Sequence, residues 1–309
     1  MSEQLYDVVI IGGGPAGLTA GLYTSRAKLK TLLVERMIMG GQVMTTTKVE
    51  NYPGFPGGID GPDLMVRFQE HCQEFGLQIE YGEVESLVDE GEEKSVVVDG
   101  KPIRTRTVII TTGAEPRKLD IPGEQEFTGR GVSYCATCDG AFFRNVPVAI
   151  VGGGDTAAEE ALFLTRFASK VYIVHRRDEL RATKILQERL KANEKIEILW
   201  NSAVERVEGD ASGMHAVELK DLSSGEKRSL ELQGLFVAIG VTPKAHFLAE
   251  VLQLDPDGHI LTDAECRTSM PGVFAAGDVR KKILKQIATA VGDGAVAAIM
   301  AEKYLMDRE

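Results

Sequence analysis

The sequence predicts an α/β protein made of two Rossmann-like (three-layer ββα) nucleotide-binding domains, the first of them discontinuous. Three observations carry that prediction. A glycine-rich turn follows an apolar, β-branched run twice, at Gly12–Gly17 and at Gly152–Ala157. In each copy a helical stretch and a second β-branched run come next, ending at Glu35 and at His175, equally far from the first glycine. Near the C-terminus one more strand-like run ends in Gly277-Asp278, the piece the first copy lacks. The expected boundaries are 1–117 with 246–309 for the first domain and 118–245 for the second.

In the first copy, LYDVVII over residues 5–11 reads as a buried strand, and the helix runs to about Ala27. Gly12, Gly14 and Gly17 form GxGxxG between them. Such glycines let the backbone approach a pyrophosphate, and the helix N-terminus offers it amides and positive dipole. Glu35 ends the next strand, where a carboxylate suits an adenosine ribose. A glycine-rich turn without a ligand would leave Glu35 unexplained. From Met39 a long Gly-, Pro- and Thr-rich loop follows, a length more often functional than connective. Residues 62–75 read as a helix with Leu64, Phe68, Cys72 and Phe75 on one face, which makes Cys72 a core thiol. An acidic β-excursion leads to Thr107–Thr112, a run apolar enough to rejoin the central sheet. Ala114–Gly123 carries two prolines and reads as a crossing between domains, with a second crossing near Gly240–Phe247.

The second copy replaces the acid with His175-Arg176-Arg177, and Arg181 stands a turn later. Basic residues there remove a ribose acceptor and supply donors for a 2′-phosphate. A plain surface cluster is the alternative, and its place in the repeat argues against it. The first copy is therefore expected to hold FAD and the second NADPH. Between the copies lies Cys135-Ala136-Thr137-Cys138-Asp139. A CxxC pair closes a small disulfide ring or gives half of a zinc site. Cys72 and Cys266 are single and distant, and no His pair stands at ligand spacing, so redox chemistry is favoured, with Asp139 placed to move a proton.

Bulk properties narrow the function. A chain of 309 residues, 43% hydrophobic and 26% charged, suits two globular domains. A net charge of −11 argues against nucleic acid or an anionic membrane surface. No apolar run reaches the roughly 18 residues of a membrane span, and the N-terminus shows no secretory signal. Four cysteines make no disulfide framework in a chain this long, so a cytoplasmic redox role is expected.

CATCDG, GGGPAG, GGQ, VENYPG, GGGDTA, HRRDELRA, LFVAIG and VFAAGDV stand in the order seen in the low-molecular-weight, bacterial-type thioredoxin reductases. The chain resembles that family along essentially its whole length. The resemblance implies an NADPH-dependent thioredoxin-disulfide reductase. FAD would lie on Gly12, Gly14, Pro15, Ala16, Gly17, Glu35 and Arg36, with Gly40, Gly41, Gln42, Asn51, Gly113, Asp278, Gln286 and Ile287 around it. NADPH would lie on Gly152, Gly154, Asp155 and Thr156, with His175, Arg176, Arg177, Arg181, Ile239 and Gly240. Cys138 would be the thiol nearer the flavin, Cys135 the one that attacks thioredoxin, and Asp139 the proton donor. Phe142, Phe143 and Arg130 would receive thioredoxin, the second domain would rotate between steps, and the chain would form a homodimer. One departure is visible. The family usually shows Arg-Gln-Ala where this chain has Lys285-Gln286-Ile287, so the planar guanidinium fork is lost there. The rival expectations are a sibling flavoenzyme serving a peroxiredoxin or another thioredoxin-like protein, a redox-sensing or zinc-binding flavoprotein, and an enzyme using another electron donor.

Overall fold

The computed structural model describes residues 4–46 and 48–308. The chain divides into two compact units, Met1–Glu115 with Thr242–Glu309, and Pro116–Val241. The crossings thus fall at 115/116 and 241/242, where the sequence reading put them at 117/118 and 245/246.

The first unit opens with β1 (Tyr6–Ile11), α1 (Pro15–Arg26) and β2 (Thr31–Glu35). Pro15 suits the first turn of α1, because its missing amide would have no helical partner. The loop expected from Met39 holds one short 3-10 turn, Gly41–Thr45, before α2 (Gly61–Glu74). β3 (Gln78–Tyr81), β4 (Val84–Glu90), β5 (Glu93–Val98) and β6 (Lys101–Ile110) complete its N-terminal part. β6 serves two pairings. Lys101–Thr105 runs antiparallel to β5, and Thr105–Ile110 runs parallel to β1. The acidic excursion is not simply solvated: Lys94 is fully buried on β5, with Nζ on the Gly91 carbonyl (2.6 Å) and on Asp89 (3.0 Å).

The short strand β7 (Ala114–Pro116) runs across the 115/116 boundary into the second unit. Much of the expected linker packs rather than dangles: Leu119 and Ile121 join a core, and the Pro122 carbonyl accepts from the Val207 amide. Then come β8 (Val132–Ser133), α3 (Ala136–Asp139), β9 (Pro147–Val151), α4 (Asp155–Leu164), β10 (Lys170–Val174), α5 (Lys184–Lys191) and β11 (Ile196–Leu199). A meander of β12 (Ser202–Asp210), β13 (Gly213–Asp221) and β14 (Lys227–Glu231) leads to β15 (Gly234–Val237). The sheet order is β11-β10-β9-β15-β8, parallel throughout. Successive strand residues face opposite layers. Val148 and Ile150 meet Ala157, Ala158, Ala161 and Leu164 of α4, whereas Ala149 meets Val204, Val217 and Leu219 of the meander.

β16 (Val241–Pro243) pairs with β7, so the two crossings form a two-stranded ribbon. Back in the first unit, β17 (Val273–Ala275) adds to β6 in parallel, and α6 (Ile287–Met306) closes it. The sheet reads β3-β2-β1-β6-β5-β4, with β17 on β6. Val8, Ile10 and Ile109 face α1 and α6, and Val9, Ile11 and Ile110 face Leu87, Val96 and Ile260. Each unit is therefore helix, parallel sheet and a third, largely non-helical layer. Side chains of this size contribute about 1.5–3 kcal/mol each when fully buried, so two such cores account for the order of the turns they carry.

Candidate active site

The first glycine turn is built by exclusion. A Cβ on Gly12, whose φ is +107°, would stand 2.6 Å from the Thr111 carbonyl, and one on Gly17 would collide with the Gly12 carbonyl. Thr111 Oγ1 donates to the Ile11 and Gly12 carbonyls at 2.9 and 2.7 Å and pins the bend. Nothing lies within 4 Å of a Cβ built on Gly14, so the face where a pyrophosphate would approach is open. Pro15 and Ala16 lead into α1 behind it. Glu35 is engaged locally: Oε2 accepts the Gly13 amide (2.7 Å) and Oε1 the Met37 amide (3.0 Å). A carboxylate oxygen has more than one lone pair, so capacity for a ribose hydroxyl remains. Arg36 points into solvent towards Glu83 (3.6 Å).

Gly40 and Gly41 both have positive φ, and the Gly40 amide donates to the Gly13 carbonyl (2.8 Å), which sets this loop against the turn. Exposed Gln42 follows. Asn51 Nδ2 donates to Gln286 Oε1 (3.0 Å), bringing together two residues far apart in sequence, and Ile287 begins α6. Gly113 has positive φ and open space before it. Asp278 Oδ1 is buried without a hydrogen-bond partner. Burial pushes its carboxyl above the ordinary range, against the pull of Lys282 and Lys285. A buried acceptor left unpaired is costly, and a polyol hydroxyl would satisfy it. The open Gly14 face and this orphan acceptor fit a flavin dinucleotide. Lys285, where the family usually has Arg, is half-buried, and that burial lowers its pKa.

The second turn repeats the first. A Cβ on Gly152 would stand 2.6 Å from the Ala238 carbonyl and 2.6 Å from Ala157, while Gly154 is open like Gly14. Asp155 and Thr156 are exposed, and Asp155 Oδ1 accepts the amide of Thr183, the residue before α5 (2.7 Å). The Arg181 and Ala182 amides donate to the Gly153 carbonyl at 2.7 and 3.0 Å. The basic segment is thus stitched to the phosphate turn. Arg176, Arg177 and Arg181 are exposed, and among the described residues none of them makes an ion pair. His175 is different. It is buried, with Nδ1 2.9 Å from the Gly152 carbonyl and Nε2 3.0 Å from the Glu179 carbonyl, so both ring nitrogens already face backbone. It braces the turn from behind. Ile239 is half-buried and Gly240 exposed with positive φ, at the second crossing.

Cys135 and Cys138 form a disulfide, with 5.3 Å between Cα atoms. Cys135 is also the N-cap of α3, its Sγ accepting the Cys138 amide (3.2 Å). Ser133 Oγ accepts the Cys135 amide (3.1 Å) and donates to Asp139 Oδ2 (2.6 Å). Burial pushes the Asp139 carboxyl above its ordinary range, with the Ser133 bond pulling the other way. Such an acid retains its proton to a higher pH than a solvated aspartate, as a proton donor requires. Cys72 and Cys266 are buried and free. Burial raises their thiols to about 12 and about 11, which keeps both out of thiolate chemistry near neutral pH. Among the described residues no three His, Cys, Asp or Glu side chains come together as a metal site. Of the expected docking residues, Phe142 is 47% exposed, Phe143 packs edge-on against Phe236, and Arg130 is tied to the Asp210 and Ala211 carbonyls.

Sequence reading missed Glu160, on the helix that packs against α3, whose carboxyl burial pushes up to about 7. Aligning the two copies of the turn would have found it, because Ala20 stands at the matching place in the first.

Known proteins match this arrangement. The pyridine nucleotide-disulphide oxidoreductase family model covers residues 6–294. The thioredoxin reductase of Listeria monocytogenes is 50% identical, covering 98% of this chain and 95% of that protein. That of Bacillus subtilis is 48% identical, covering 98% and 96%. The crystal structure of thioredoxin reductase from Streptococcus pyogenes superimposes with a TM-score of 0.95 at 44% identity, covering 99% of this chain and 100% of that one.

Proposed function

This chain belongs to the pyridine nucleotide-disulphide oxidoreductases and among them to the bacterial-type thioredoxin reductases, and we propose that NADPH, through FAD, is the source of the electrons it delivers to the thioredoxin disulfide. The observation that carries this reading is the Cys135–Cys138 disulfide, held at the head of α3 in the unit that also bears the second glycine turn and its unpaired arginines.

FAD held by Gly12, Gly14, Pro15, Ala16, Gly17, Glu35 and Asp278, and NADPH held by Gly152, Gly154, Thr156, Arg176, Arg177 and Arg181, would supply the two electrons that open the disulfide. The remaining chemistry belongs to the chain. Opening the Cys135–Cys138 bond with two electrons takes up two protons. Cys135 then attacks one sulfur of the thioredoxin disulfide, the other thioredoxin sulfur leaves, and a mixed disulfide forms. Cys138 attacks Cys135 Sγ, frees the reduced partner and restores the starting bond. Asp139 is the proton donor in this cycle, oriented by Ser133. Phe142 offers an exposed apolar contact for the partner.

Turning of the second unit about the ribbon of β7 and β16 is part of this reading. The dithiol and the nicotinamide site belong to one unit and the flavin site to the other, so the two groups must take turns. A homodimer and a cytoplasmic setting complete it. Among the described residues no helix is long and apolar enough to cross a membrane.

The test uses Cys135→Ser and Cys138→Ser. Each variant is expected to bind FAD and to have its flavin bleached by NADPH, while thioredoxin turnover drops to background. Turnover near that of the parent in either variant would overturn the reading.

A further inference from the structure

Arg280, Lys281 and Lys282 follow closely on Asp278, and each of the three cations is drawn onto a different acid. Arg280 Nη1 donates to Asp293 Oδ1 (3.0 Å) and Lys282 Nζ to Asp293 Oδ2 (2.9 Å), while Lys281 Nζ stands 2.9 Å from Asp255 Oδ2. Asp278 is the nearest carboxyl in sequence, yet its buried Oδ1 has no hydrogen-bond partner. A buried acceptor left unpaired beside so many donors is costly. The donors are held away from it.

Asp293, on α6, does most of the holding. Its Oδ2 also accepts the amide of Gly277 (3.1 Å), the residue before Asp278, whose φ is +78°. The next residue of α6 meets the other half of the site: a Cβ on Gly294 would collide with the Ala16 carbonyl in the first turn of α1. One turn of α6 therefore touches both the Gly277-Asp278 turn and the helix that follows GxGxxG. The two cations on Asp293 are not equally fixed. Arg280 also donates through Nη1 to Cys266 Sγ (3.1 Å) and through Nη2 to the Asp263 carbonyl (3.0 Å). Among the described residues Lys282 has Asp293 alone for an ion pair, and its side chain is only 12% exposed. Lys282 already acts on Asp278: after burial, which raises that carboxyl, it is the largest influence and pulls it down. Without the charge on Asp293, Lys282 is the cation that turns to Asp278.

We propose that Asp293 is a positioning residue for FAD, holding the Gly277 turn and retaining Lys282 so that Asp278 keeps an acceptor open for the flavin's polyol. This rests on the FAD reading above. Asp293 touches no part of the flavin in this account and acts through Gly277, Lys282 and Asp278.

The experiment follows release of FAD from the holoenzyme into an apoflavoprotein trap by flavin fluorescence, with denaturant melts of the same samples. Asp293→Asn keeps the shape and an oxygen for the Gly277 amide but gives up the charge. FAD should leave it roughly tenfold to a hundredfold faster than it leaves the parent, the scale of one charge-assisted hydrogen bond. Adding Lys282→Met keeps the length of that side chain and removes the displaced cation, so the double variant should regain most of the loss. A purely structural Asp293 would lower the melts and leave release from the double variant as fast as from the single one. That result, or release from Asp293→Asn at the parent's rate, overturns the proposal. Should Asp293→Asn fail to fold, Lys282→Met alone decides. Release at the parent's rate supports the proposal, and faster release, which would make Lys282 itself a support for FAD, overturns it. A parent protein that neither carries nor takes up FAD contradicts the proposed function instead, and flavin absorbance shows that before any variant is made.

Discussion

The two glycine turns share one plan and differ where each meets its ligand. In both, the first glycine presses on a neighbouring carbonyl while Gly14 and Gly154 face open space, and the third position is Gly17 in one copy and Ala157 in the other. In both, the middle glycine abuts the residue at or just past the end of the next strand: Glu35 against Gly13, His175 against Gly153. Those residues are opposite in chemistry. Glu35 accepts two backbone amides, and His175 faces two backbone carbonyls. The strand-end position is thus first a brace for the turn. What lies beyond it differs, an orphan carboxylate oxygen at Asp278 in one unit and three exposed arginines in the other.

Crowding at the third position gives the largest expected effect. Gly17→Ala drives a Cβ into the Gly12 carbonyl and should destabilise the first unit by about 3 kcal/mol or more, with loss of FAD on purification. The mirror change Ala157→Gly removes a tolerated methyl and should cost only about 1 kcal/mol. Denaturant melts with flavin absorbance check both, and equal costs would break the comparison.

Arg176→Ala with Arg177→Ala comes next. Charge-assisted bonds to phosphate are worth roughly 1.5–3 kcal/mol each, so the NADPH KM should rise on the order of a hundredfold. The NADH KM should scarcely move. An unchanged ratio would make the cluster mere solvated surface.

His175→Ala sharpens the contrast between brace and ligand. It should raise KM for both nucleotides about fivefold, the equivalent of about 1 kcal/mol. A loss confined to NADPH would instead make His175 a phosphate contact.

The smallest effect is on stability against pH. The folded pKa of Glu160 stands above its ordinary 4.5. Its contribution is therefore complete at acid pH and lost as pH rises through about 7. Glu160→Gln should flatten that fall and leave the protein about 1–2 kcal/mol more stable than the parent at mildly alkaline pH. The corresponding substitution at Ala20 buries an unpaired amide and should only destabilise.

Much of this was legible in the sequence because it depends on short-range rules. β-branched runs, glycines with forced positive φ and the strand-end residues lie within one βαβ unit, so their spacing carries the message. The CxxC and its following acid are likewise local. What escaped depends on contacts between elements. That His175 turns its ring onto Gly152 and Glu179 follows from packing against Gly153. Glu160 reads as an ordinary helical acid until α4 is laid on α3. Lys94 sits in an acidic stretch that looks solvated, yet the hairpin closes over it. The long loop after Met39 hides its 3-10 turn because Gly40 and Gly41 are shaped by contact with Gly13 and Gly14.

The central claim is that the second turn, with its arginines, feeds the Cys135–Cys138 dithiol from NADPH. The most direct measurement is steady-state reduction of purified thioredoxin by the parent protein with NADPH and with NADH. Two lost phosphate contacts predict kcat/KM for NADPH on the order of a hundredfold above that for NADH. Equal values for the two nucleotides, or no thioredoxin turnover with NADPH, would contradict the account.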